Sequence, residues 1–421
     1  MPLTTGTELT LTIEKPVAGG RMLARHEGQI VFVAGAIPGE RVLARVERVS
    51  KQLAFAVTAE VLEASPDRRG IDIDWACGGS LYAHIAYERQ VQLKSELVAD
   101  AFERIGKLPL DAPVPVTASK EHGYRMRARL HAVGGALGFF REGTHELCAP
   151  APTRQLLPET MAALDRVRAV MTEQWSTQLR ACDISENAAA TERAILLELD
   201  SLDRAPVSVE PLEGVTGLLF ADTQSPRLTV AYGSPYVTDH LAFESGSASL
   251  THHVQSFFQG NRHLLTDLAA RVVEQVPDGA VTDLYAGVGL FAVSLAAHGR
   301  RNITAVEGDR SSARDLETNA GAYSPAIHVV HASVEAYLER SRHDAVQTVL
   351  VDPPRTGISR EAMSGLLALK APRVVYVSCD PPTLARDMKR FREVGYELRH
   401  IEALDLFPNT PHVETVAVLT R

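Results

Sequence analysis

The sequence predicts an α/β protein in three parts: a small OB-like β-barrel at residues 1–62, a mixed α+β central domain at 63–250, and a Rossmann-like domain at 251–421. Two patterns support this division. Short runs of alternating apolar and polar residues, separated by turn residues, fill the first part and are typical of a small barrel. After residue 262, apolar strands alternate with helices, which is typical of a parallel sheet with right-handed crossovers.

The composition is that of an ordinary globular protein, with 45% hydrophobic and 23% charged residues. The formal net charge of −9 means that nucleic-acid binding would need a local basic surface. No secretory signal is visible, and the longest largely apolar run, at 284–297, is too short to span a membrane. We therefore predict a cytoplasmic protein with no membrane partner, no obligate protein partner and four reduced cysteines.

The barrel is predicted from three clear alternating runs, at residues 8–13, 29–33 and 41–46. Residues 66–70, which contain a proline and a glycine, predict a linker. Helical periodicity then predicts a helix at 87–105, and Gly106 is placed to end it as the left-handed residue after the C-cap.

In the central domain, alternation predicts a strand at 124–130 with Arg125, Arg127 and Arg129 on one face. The other predicted elements there are a helix at 158–178 and strands at 194–199 and 228–232. The last domain is predicted to contain a helix at 262–276, strands at 281–285, 303–307, 348–351 and 374–378 with helices between them, and a hairpin-like end at 416–419.

A glycine-rich motif, Asp283-Leu-Tyr-Ala-Gly287-Val-Gly289, lies between a predicted strand and a predicted helix. Such a turn lets a ligand approach the backbone and the helix N-terminus. Glu307 ends the next strand, where a carboxylate can accept hydrogen bonds from two ribose hydroxyls. The same spacing also satisfies the dinucleotide fingerprint, so the motif alone leaves open a NAD-dependent oxidoreductase or an ordinary turn.

Three further side chains lie at the predicted functional edge of the sheet. Asp352 and two prolines follow one strand, and Cys379 ends the next, before a helix whose N-terminus would lower the thiol pKa. Glu414 precedes the final apolar strand. Each has an ordinary alternative when taken alone: a capping aspartate, a core cysteine and a solvated glutamate.

Taken together, these motifs resemble the family of RNA uracil-C5 methyltransferases. The matching segments are Phe257-Phe-Gln259-Gly-Asn261, Asp283 to Gly289, Val306-Glu-Gly308, Asp352-Pro-Pro-Arg355, Ser378-Cys379-Asp-Pro-Pro-Thr-Leu384 and His412-Val-Glu414. The N-terminal barrel resembles the TRAM domain, an RNA-binding barrel joined to members that modify ribosomal RNA. The run Cys77-Gly-Gly79 and the segment after Tyr124 resemble the central domain of that family.

The resemblance implies a class I methyltransferase that uses S-adenosylmethionine, an EC 2.1.1 enzyme with no metal site. The positions implied to bind or shape the cofactor pocket are Gln259, Tyr285, Gly287, Gly289, Glu307 and Asp352. Cys379 would be the nucleophile and Glu414 the general base.

The chemistry explains these residue types. A thiolate that adds to C6 of uracil makes C5 nucleophilic, so that C5 attacks the sulfonium methyl. A base then removes the C5 proton and the thiolate leaves. The target base must leave its stack to be reached. A NAD enzyme would leave Cys379, Asp352 and Glu414 without a role and is the remote alternative.

Ribosomal-RNA members of the family commonly hold an iron–sulfur cluster through four cysteines. The matching positions here are Ile71, Cys77, Ser80 and Cys148, so two ligands remain where a cluster normally needs four. We therefore predict no cluster. Leu290 and Asp380 stand where the family commonly has polar Asn residues.

The favoured substrate is 23S ribosomal RNA, by analogy with barrel-containing members, and the T-loop uridine of transfer RNA is the alternative. Arg125, Arg127 and Arg129 would neutralise phosphates if their face meets RNA, although a solvated strand face is the simpler explanation. Further basic candidates on the barrel are Arg21, Arg25, Arg41, Arg45, Arg48 and Lys51.

Overall fold

The computed structural model describes residues 3–50, 53–171, 173–202, 209–225, 227–341 and 346–421. The strands are β1 (Glu8–Pro16), β2 (Met22–His26), β3 (Gln29–Ala34), β4 (Arg41–Ser50), β5 (Leu53–Glu63), β6 (Val116–Thr117), β7 (Arg127–Val133), β8 (Ala136–Phe140), β9 (Leu147–Cys148), β10 (Leu179–Glu186), β11 (Arg193–Leu199), β12 (Gly217–Asp222), β13 (Leu228–Gly233), β14 (Tyr236–Phe243), β15 (Gly246–His253), β16 (Val281–Leu284), β17 (Ile303–Glu307), β18 (Ile327–His331), β19 (Thr348–Val351), β20 (Arg373–Ser378), β21 (Glu397–Leu404) and β22 (Glu414–Thr420). The helices are α1 (Tyr87–Arg104), α2 (Pro158–Val170), α3 (Glu173–Ser176), α4 (Leu265–Glu274), α5 (Leu290–Ala297), α6 (Arg310–Gly321), α7 (Val334–Arg340), α8 (Arg360–Leu369) and α9 (Pro381–Glu393).

The predicted N-terminal barrel is confirmed. Its five strands close in the order β1-β2-β3-β5-β4. Inward-facing residues such as Ile13, Val31 and Ala54 form one core, and they alternate with outward-facing neighbours most clearly along β1. This alternation is what the period-2 pattern of the sequence required.

A buried ion pair fastens the segment after the barrel to the barrel itself. Glu40 is fully buried and accepts hydrogen bonds from Nε and Nη2 of Arg68 at 2.6 and 2.7 Å. The same carboxylate accepts the backbone N–H groups of Ile37 and Ser65. The predicted linker at 66–70 is therefore bound in place, because its arginine neutralises a charge that the barrel buries.

Replacing Arg68 with methionine should destabilise the protein by about 3 kcal/mol, because the carboxylate of Glu40 would stay buried without its counter-charge. Thermal and denaturant unfolding would measure the loss. Arg41→Met is the matched control, since Arg41 pairs with Glu63 on the surface and should cost less than about 1 kcal/mol. Equal melting temperatures for the two variants would contradict this assignment.

The central domain is built on a seven-stranded sheet with the order β13-β12-β11-β10-β7-β8-β9. Helix α2 covers one face through Ala163, Leu164 and Val167. The predicted helix at 158–178 is interrupted: α2 ends at Val170, and Met171 adopts an extended conformation that breaks the helical hydrogen bonding before α3 begins.

Cys77 and Cys148 form a disulfide, so the prediction of reduced thiols is wrong for this pair. The topology explains the pairing. Residue Cys77 forms a bridge with Arg141 just after β8, and Cys148 pairs with Phe139 on the other side of the same strand. Both cysteines therefore lie beside β8, and their Cα atoms are 5.8 Å apart although 71 residues separate them in sequence. Cys182 and Cys379 are free thiols.

The end of α1 differs in detail from the prediction. The left-handed residue is Lys107, with φ of 52°, and not Gly106. The glycine is needed for space instead, because a Cβ there would lie 2.8 Å from the carbonyl oxygen of Phe102 and 3.2 Å from that of Ala385. Gly106 therefore permits the close approach of α1 to α9.

The C-terminal domain contains an eight-stranded sheet with the order β18-β17-β16-β19-β20-β22-β21-β6. Strands β16 to β20 pair in parallel, and β22 turns the edge antiparallel. Both predicted strands at 303–307 and 348–351 match the structure, and the predicted Rossmann-like fold is confirmed. The sequence prediction lacked β18 and the short β6.

Segments from earlier in the chain complete the core of this domain. Val98 and Phe102 of α1 pack with Phe391 of α9, and Leu241 and Leu250 of the β14–β15 hairpin join the core around α4 and α5. The predicted boundary at residue 250 falls inside β15. We propose that the boundary lies instead near residues 233–235, before the hairpin.

Within the described ranges, no helix is long and apolar enough to cross a membrane. The same residues contain no group of three or more His, Cys, Asp or Glu side chains arranged to hold a metal ion.

Candidate active site

A cavity of about 800 Å³ opens at the carboxyl ends of β16, β17, β19 and β20. This is the edge at which open parallel sheets bind ligands. The predicted site residues that line it are Gln259, Tyr285, Gly287, Glu307, Asp352, Cys379, Glu414, Arg125, Arg127 and Arg129. Gly289 is the exception: it is the N-cap residue of α5 and is not among the residues that line the cavity. The volume is sufficient for a cofactor together with part of a second ligand.

The glycine motif forms a tight turn between β16 and α5. Tyr285, Gly287 and Gly289 all have positive φ, at 62°, 57° and 100°. A Cβ on Gly289 would lie 2.8 Å from Leu316 Cδ1, whereas one on Gly287 would meet nothing within 4 Å. Gly287 therefore leaves open space on the ligand side, and Gly289 allows α6 to pack closely.

Glu307 holds this turn from the neighbouring strand. One carboxylate oxygen accepts the N–H of Gly287 at 2.7 Å and the other accepts the N–H of Asp309 at 2.6 Å. Burial raises the carboxyl pKa, and these backbone N–H groups oppose the rise. Each carboxylate oxygen has a second acceptor position, so Glu307 remains suited to receive two ribose hydroxyls.

The loop that carries Gln259 is fixed by the central domain. Met126 donates its N–H to the carbonyl oxygen of Gly260, and Arg262 donates its N–H to that of Tyr124. The start of β7 and the loop that carries Gln259 are thus held together by backbone hydrogen bonds.

Two lining residues had no role assigned by the sequence, although both lie in the matched motifs. Phe257 is 69% exposed at the cavity, an unusual position for so large an apolar side chain. Arg355 also lines the cavity and lies beside Cys379. The signal that could have found Arg355 is a cation three residues after Asp352, at the same edge as the cysteine.

Cys379 lies between the end of β20 at Ser378 and the start of α9 at Pro381, at the predicted edge of the sheet, but the expected lowering of its thiol pKa is wrong. Burial and the neighbouring Glu414 raise the pKa of the thiol to about 12. The guanidinium of Arg355, hydrogen-bonded to the thiol, acts in the opposite direction. The sequence prediction considered the helix N-terminus and missed the burial of the thiol and the adjacent carboxyl of Glu414.

Glu414 begins β22 with 2% of its surface exposed. Burial and the nearby Asp352 raise its pKa well above the ordinary value, and Arg355 opposes them. Burial also raises the pKa of Asp352 to about 7. The site therefore brings together a thiol, two carboxyls of raised pKa and one guanidinium, which is an arrangement suited to proton transfer near neutral pH.

The raised thiol pKa predicts how Cys379 reacts without substrate. Only the thiolate is alkylated, so the rate with iodoacetamide should rise about tenfold per pH unit, with no plateau below about pH 11. Arg355→Gln removes the group that stabilises the thiolate and should slow alkylation at every pH. Arg360→Gln, at the exposed start of α8, is the control. Peptide mass spectrometry would follow Cys379, and a plateau near neutral pH would contradict the prediction.

The three central arginines line the same cavity but have different surroundings. Arg129 is neutralised by Asp183 and Glu198. Among the described residues, no carboxylate lies within ion-pair distance of Arg125 or Arg127. Burial lowers the pKa of Arg127 to about 10, which leaves it charged at neutral pH.

Neutral groups hold these two arginines in place. Arg125 donates to the Gln155 side chain at 2.6 Å, and Arg127 donates to the hydroxyl of Ser185 and the carbonyl oxygen of Val254, both at 2.8 Å. Of the three arginines predicted to neutralise phosphates, Arg125 and Arg127 therefore remain as candidates. Lys51, a predicted contact on the barrel, lies outside the described residues.

Two protein-family models together match most of the chain. Residues 223–421 match the tRNA (Uracil-5-)-methyltransferase family, and residues 2–58 match the TRAM domain. An uncharacterized RNA methyltransferase of Aquifex aeolicus is 31% identical, with 98% of each chain covered. Another, from Lactobacillus johnsonii, is 29% identical over 95% of each chain.

The fold is also that of a solved structure. The crystal structure of Pyrococcus abyssi tRNA (uracil-54, C5)-methyltransferase in complex with S-adenosyl-L-homocysteine superposes with a TM-score of 0.76 at 24% identity. The match covers 98% of this chain and 100% of the other, so it includes the N-terminal barrel.

Proposed function

The chain belongs to the family of S-adenosylmethionine-dependent RNA uracil-C5 methyltransferases, and on that premise we propose how its own residues act and on which RNA. The NAD-dependent alternative is thereby set aside. The observation that carries the proposal is the shared cavity: Cys379 and Glu414 line the same space as Glu307 and the glycine turn.

Cys379 is proposed as the nucleophile. Its thiolate forms a bond from sulfur to C6 of the uracil, and the electron pair of the C5–C6 double bond moves toward C5 and the C4 carbonyl. Because the free thiol has a raised pKa, its proton must pass to solvent as RNA binds, before sulfur attacks C6. Arg355 is placed to stabilise the thiolate at that stage.

Glu414 is proposed as the base that removes the proton from C5 once the methyl group is in place. The electron pair of that C–H bond re-forms the C5–C6 double bond, and the bond from C6 to the sulfur of Cys379 breaks. A carboxyl of raised pKa is a stronger base when ionised, which suits this step. A buried position also keeps water from competing with the carboxylate.

The residues present fit S-adenosylmethionine. Glu307 is placed for the ribose, Gly287 leaves backbone space open, and Gln259, Tyr285 and Asp352 line the same cavity. When bound, the cofactor supplies an electrophilic methyl group for C5. We propose these five residues as its binding set, with Gly289 shaping the turn behind them.

Ribosomal RNA, 23S in particular, is the substrate that we propose to test first, because the barrel resembles the TRAM domain of family members that modify ribosomal RNA. Transfer RNA is the second candidate. It is favoured by the name of the matching family and by the P. abyssi enzyme, whose name states transfer RNA and whose fold includes the barrel. The barrel alone therefore does not select between the two.

Arg125 and Arg127 are proposed to contact RNA phosphates. We expect Arg125→Gln to weaken RNA binding and to reduce the slope of log K against log salt by about 0.7–0.9. Arg180→Gln, in the same sheet but paired with Asp200 away from the cavity, should leave the slope unchanged. Filter binding over a salt series would measure both, and an unchanged slope in Arg125→Gln would remove this contact.

The decisive test uses RNA with tritium at uracil C5, in unmodified ribosomal RNA and transfer RNA in parallel. Release of tritium that requires S-adenosylmethionine would support C5 methylation, and the RNA that releases it would identify the substrate. If neither RNA releases tritium although the protein binds the cofactor, the proposed reaction is refuted for both substrates.

A further inference from the structure

Arg125, one of the two proposed RNA contacts, has two supports in the central domain. Its Nη1 donates to the side-chain oxygen of Gln155 at 2.6 Å, and its backbone N–H donates to the carbonyl oxygen of the same residue at 3.0 Å. Its guanidinium carbon also lies 5.3 Å from the centroid of the Phe139 ring, within the range of a cation–π contact. Gln155 and Phe139 therefore fix the direction in which this cation points.

The first support depends on the turn at residues 77–79. Nε2 of Gln155, which is fully buried, donates to the carbonyl oxygen of Gly78 at 2.9 Å. Gly79 follows with φ of 83°, and a Cβ at this position would overlap with the amide of Gln155. The turn and the amide are thus in close contact, so a shift of the turn would move the acceptor that holds Arg125.

The second support depends on the short pairing of β8 with β9. Strand β9 is the last strand of the seven-stranded sheet and has two residues, so its pairing with β8 is limited to Phe139 with Cys148 and Phe140 with Leu147. Short pairings at the end of a sheet open locally at little cost in free energy. Phe139 therefore needs a further constraint to stay fixed beside Arg125.

The Cys77–Cys148 disulfide joins the two supports covalently. Cys77 begins the turn that holds Gln155, and Cys148 is the β9 residue opposite Phe139. The turn is otherwise attached to β8 by backbone hydrogen bonds, which open more readily than a covalent bond. Because 71 residues separate the two cysteines, the disulfide removes much of the freedom that the turn and β9 have when it is broken.

We propose that this disulfide positions Arg125 for RNA, so that the oxidised chain binds RNA more tightly than the reduced chain. The inference rests on the proposed function, since it takes Arg125 as a contact to an RNA phosphate. An arginine that is ordered in advance loses less conformational freedom on binding, and a disulfide is one way to order it. Gln155 and the disulfide are thus positioning elements that act on RNA through Arg125.

Reduction is a thiol–disulfide exchange with a dithiol. Cys148 is partly exposed whereas Cys77 is buried, so a thiolate of the dithiol attacks the sulfur of Cys148. The S–S bond breaks, a mixed disulfide forms on Cys148, and the thiolate of Cys77 leaves and takes up a proton. The second thiolate of the dithiol then attacks its first sulfur and releases Cys148, which is also protonated. The chain gains two electrons and two protons, and the dithiol ends as a cyclic disulfide.

The test compares RNA binding by the oxidised chain and by the same chain after treatment with dithiothreitol, without S-adenosylmethionine. The probes are unmodified transfer RNA and ribosomal RNA, and filter binding measures the affinity. Alkylation after denaturation verifies the redox state: the oxidised chain has two reactive thiols, Cys182 and Cys379, and the reduced chain has four. Since those two cysteines are thiols in both states, the reductant changes only the disulfide.

We expect reduction to weaken RNA binding by about two- to tenfold, the range for ordering one flexible side chain on binding. Arg125→Gln should bind more weakly than the parent and should not respond to dithiothreitol, because no cation remains to be positioned. Arg180→Gln, whose parent arginine pairs with Asp200 in the same sheet, is the matched control and should keep the full response. An equal loss on reduction in the parent and in Arg125→Gln would show general support of the domain and would overturn the proposal.

Two further variants separate the disulfide from the amide that it positions. Cys77→Ser combined with Cys148→Ser should bind like the reduced parent whether or not dithiothreitol is present. Gln155→Met keeps a side chain of similar length but removes the link between the turn and Arg125, so it should bind like the reduced parent with its disulfide intact. A Gln155→Met variant with the affinity and the redox response of the parent overturns the proposal. If the serine variant does not fold, the reduced parent decides the outcome, because its sequence is unchanged.

This inference and the proposed reaction can fail separately. Tritium release together with equal RNA affinity of the oxidised and reduced chains refutes the positioning role and leaves the methyltransferase reaction standing. A redox-dependent affinity that requires Arg125, without tritium release from either RNA, does the reverse. If Arg125→Gln binds RNA like the parent, the phosphate contact and the positioning role are both refuted.

Discussion

Cys379→Ala is expected to reduce methyl transfer to the uncatalysed background, and no covalent complex with RNA should form. The reason is that the cavity offers no second thiol: Cys182 is buried in the central core, and Cys77 and Cys148 are bonded to each other. Without sulfur addition at C6, C5 stays too weak a nucleophile to accept the methyl group. Tritium release and a denaturing gel with labelled RNA would measure both effects.

The loss of activity in Cys379→Ala is informative only if this variant still binds S-adenosylmethionine and RNA. Cys379→Ala should keep its affinity for S-adenosylmethionine and RNA, because the change removes one sulfur atom from the cavity wall. Cys182→Ala is the matched control and should keep full activity if the variant folds. Tritium release by Cys379→Ala at a rate near that of the parent would remove the nucleophile assignment.

Glu414→Gln is expected to slow turnover by about 10²–10⁴, the usual contribution of a positioned base. Its more specific effect is on the intermediate: methylated RNA should remain bonded to Cys379, because the C5 proton is no longer removed. The isosteric amide keeps the buried volume filled, so the loss is one of charge and basicity. A slowly migrating protein–RNA band that requires S-adenosylmethionine would reveal the trapped species.

The neighbouring carboxyl provides the comparison. Asp352 has a pKa of about 7 and shares the cavity with Glu414. Asp352→Asn is expected to impair cofactor binding and should not accumulate the covalent complex. If the complex accumulates in Asp352→Asn and not in Glu414→Gln, the role of base belongs to Asp352.

The parts of the fold that were predictable are those set by local pattern. Strands β17 and β19 match the predicted ranges because a buried parallel strand is a short apolar run bounded by polar or turn residues. The sequence analysis did not predict that the two-residue β6 and the β14–β15 hairpin belong to the C-terminal domain. Their place depends on partners far along the chain, which no local pattern encodes.

In the candidate active site, too, local patterns predicted some features, whereas features that depend on distant residues were missed. The order of motifs located Cys379, Glu414 and Glu307 at one sheet edge, since the ends of parallel strands meet there. Alternation predicted a strand at 124–130; β7 begins only at Arg127, so Arg125 precedes the strand, but all three arginines line the same cavity. It could not reveal that Asp183 and Glu198, on two other strands, neutralise only the last of them.

The predicted lowering of the Cys379 thiol pKa and the predicted reduced state of Cys77 and Cys148 were both wrong, for a related reason. The thiol pKa of Cys379 depends on burial and on Glu414, which is 35 residues away in sequence. The disulfide depends on β8 bringing Cys77 and Cys148 to its two sides. Both properties arise from tertiary neighbours and not from the residues beside them in the chain.

The packing of α1 against the C-terminal core has a consequence for biosynthesis. Lys94 of α1 forms a fully buried ion pair with Asp405, 311 residues later. At an elongation rate of about 5–20 residues per second, the ribosome needs about 15–60 s to deliver that partner. Throughout this interval Val98 and Phe102 of α1 lack their partners in the C-terminal core, and Lys94 lacks its counter-charge. We therefore expect the nascent chain to engage chaperones and to reach its final core only after synthesis is nearly complete.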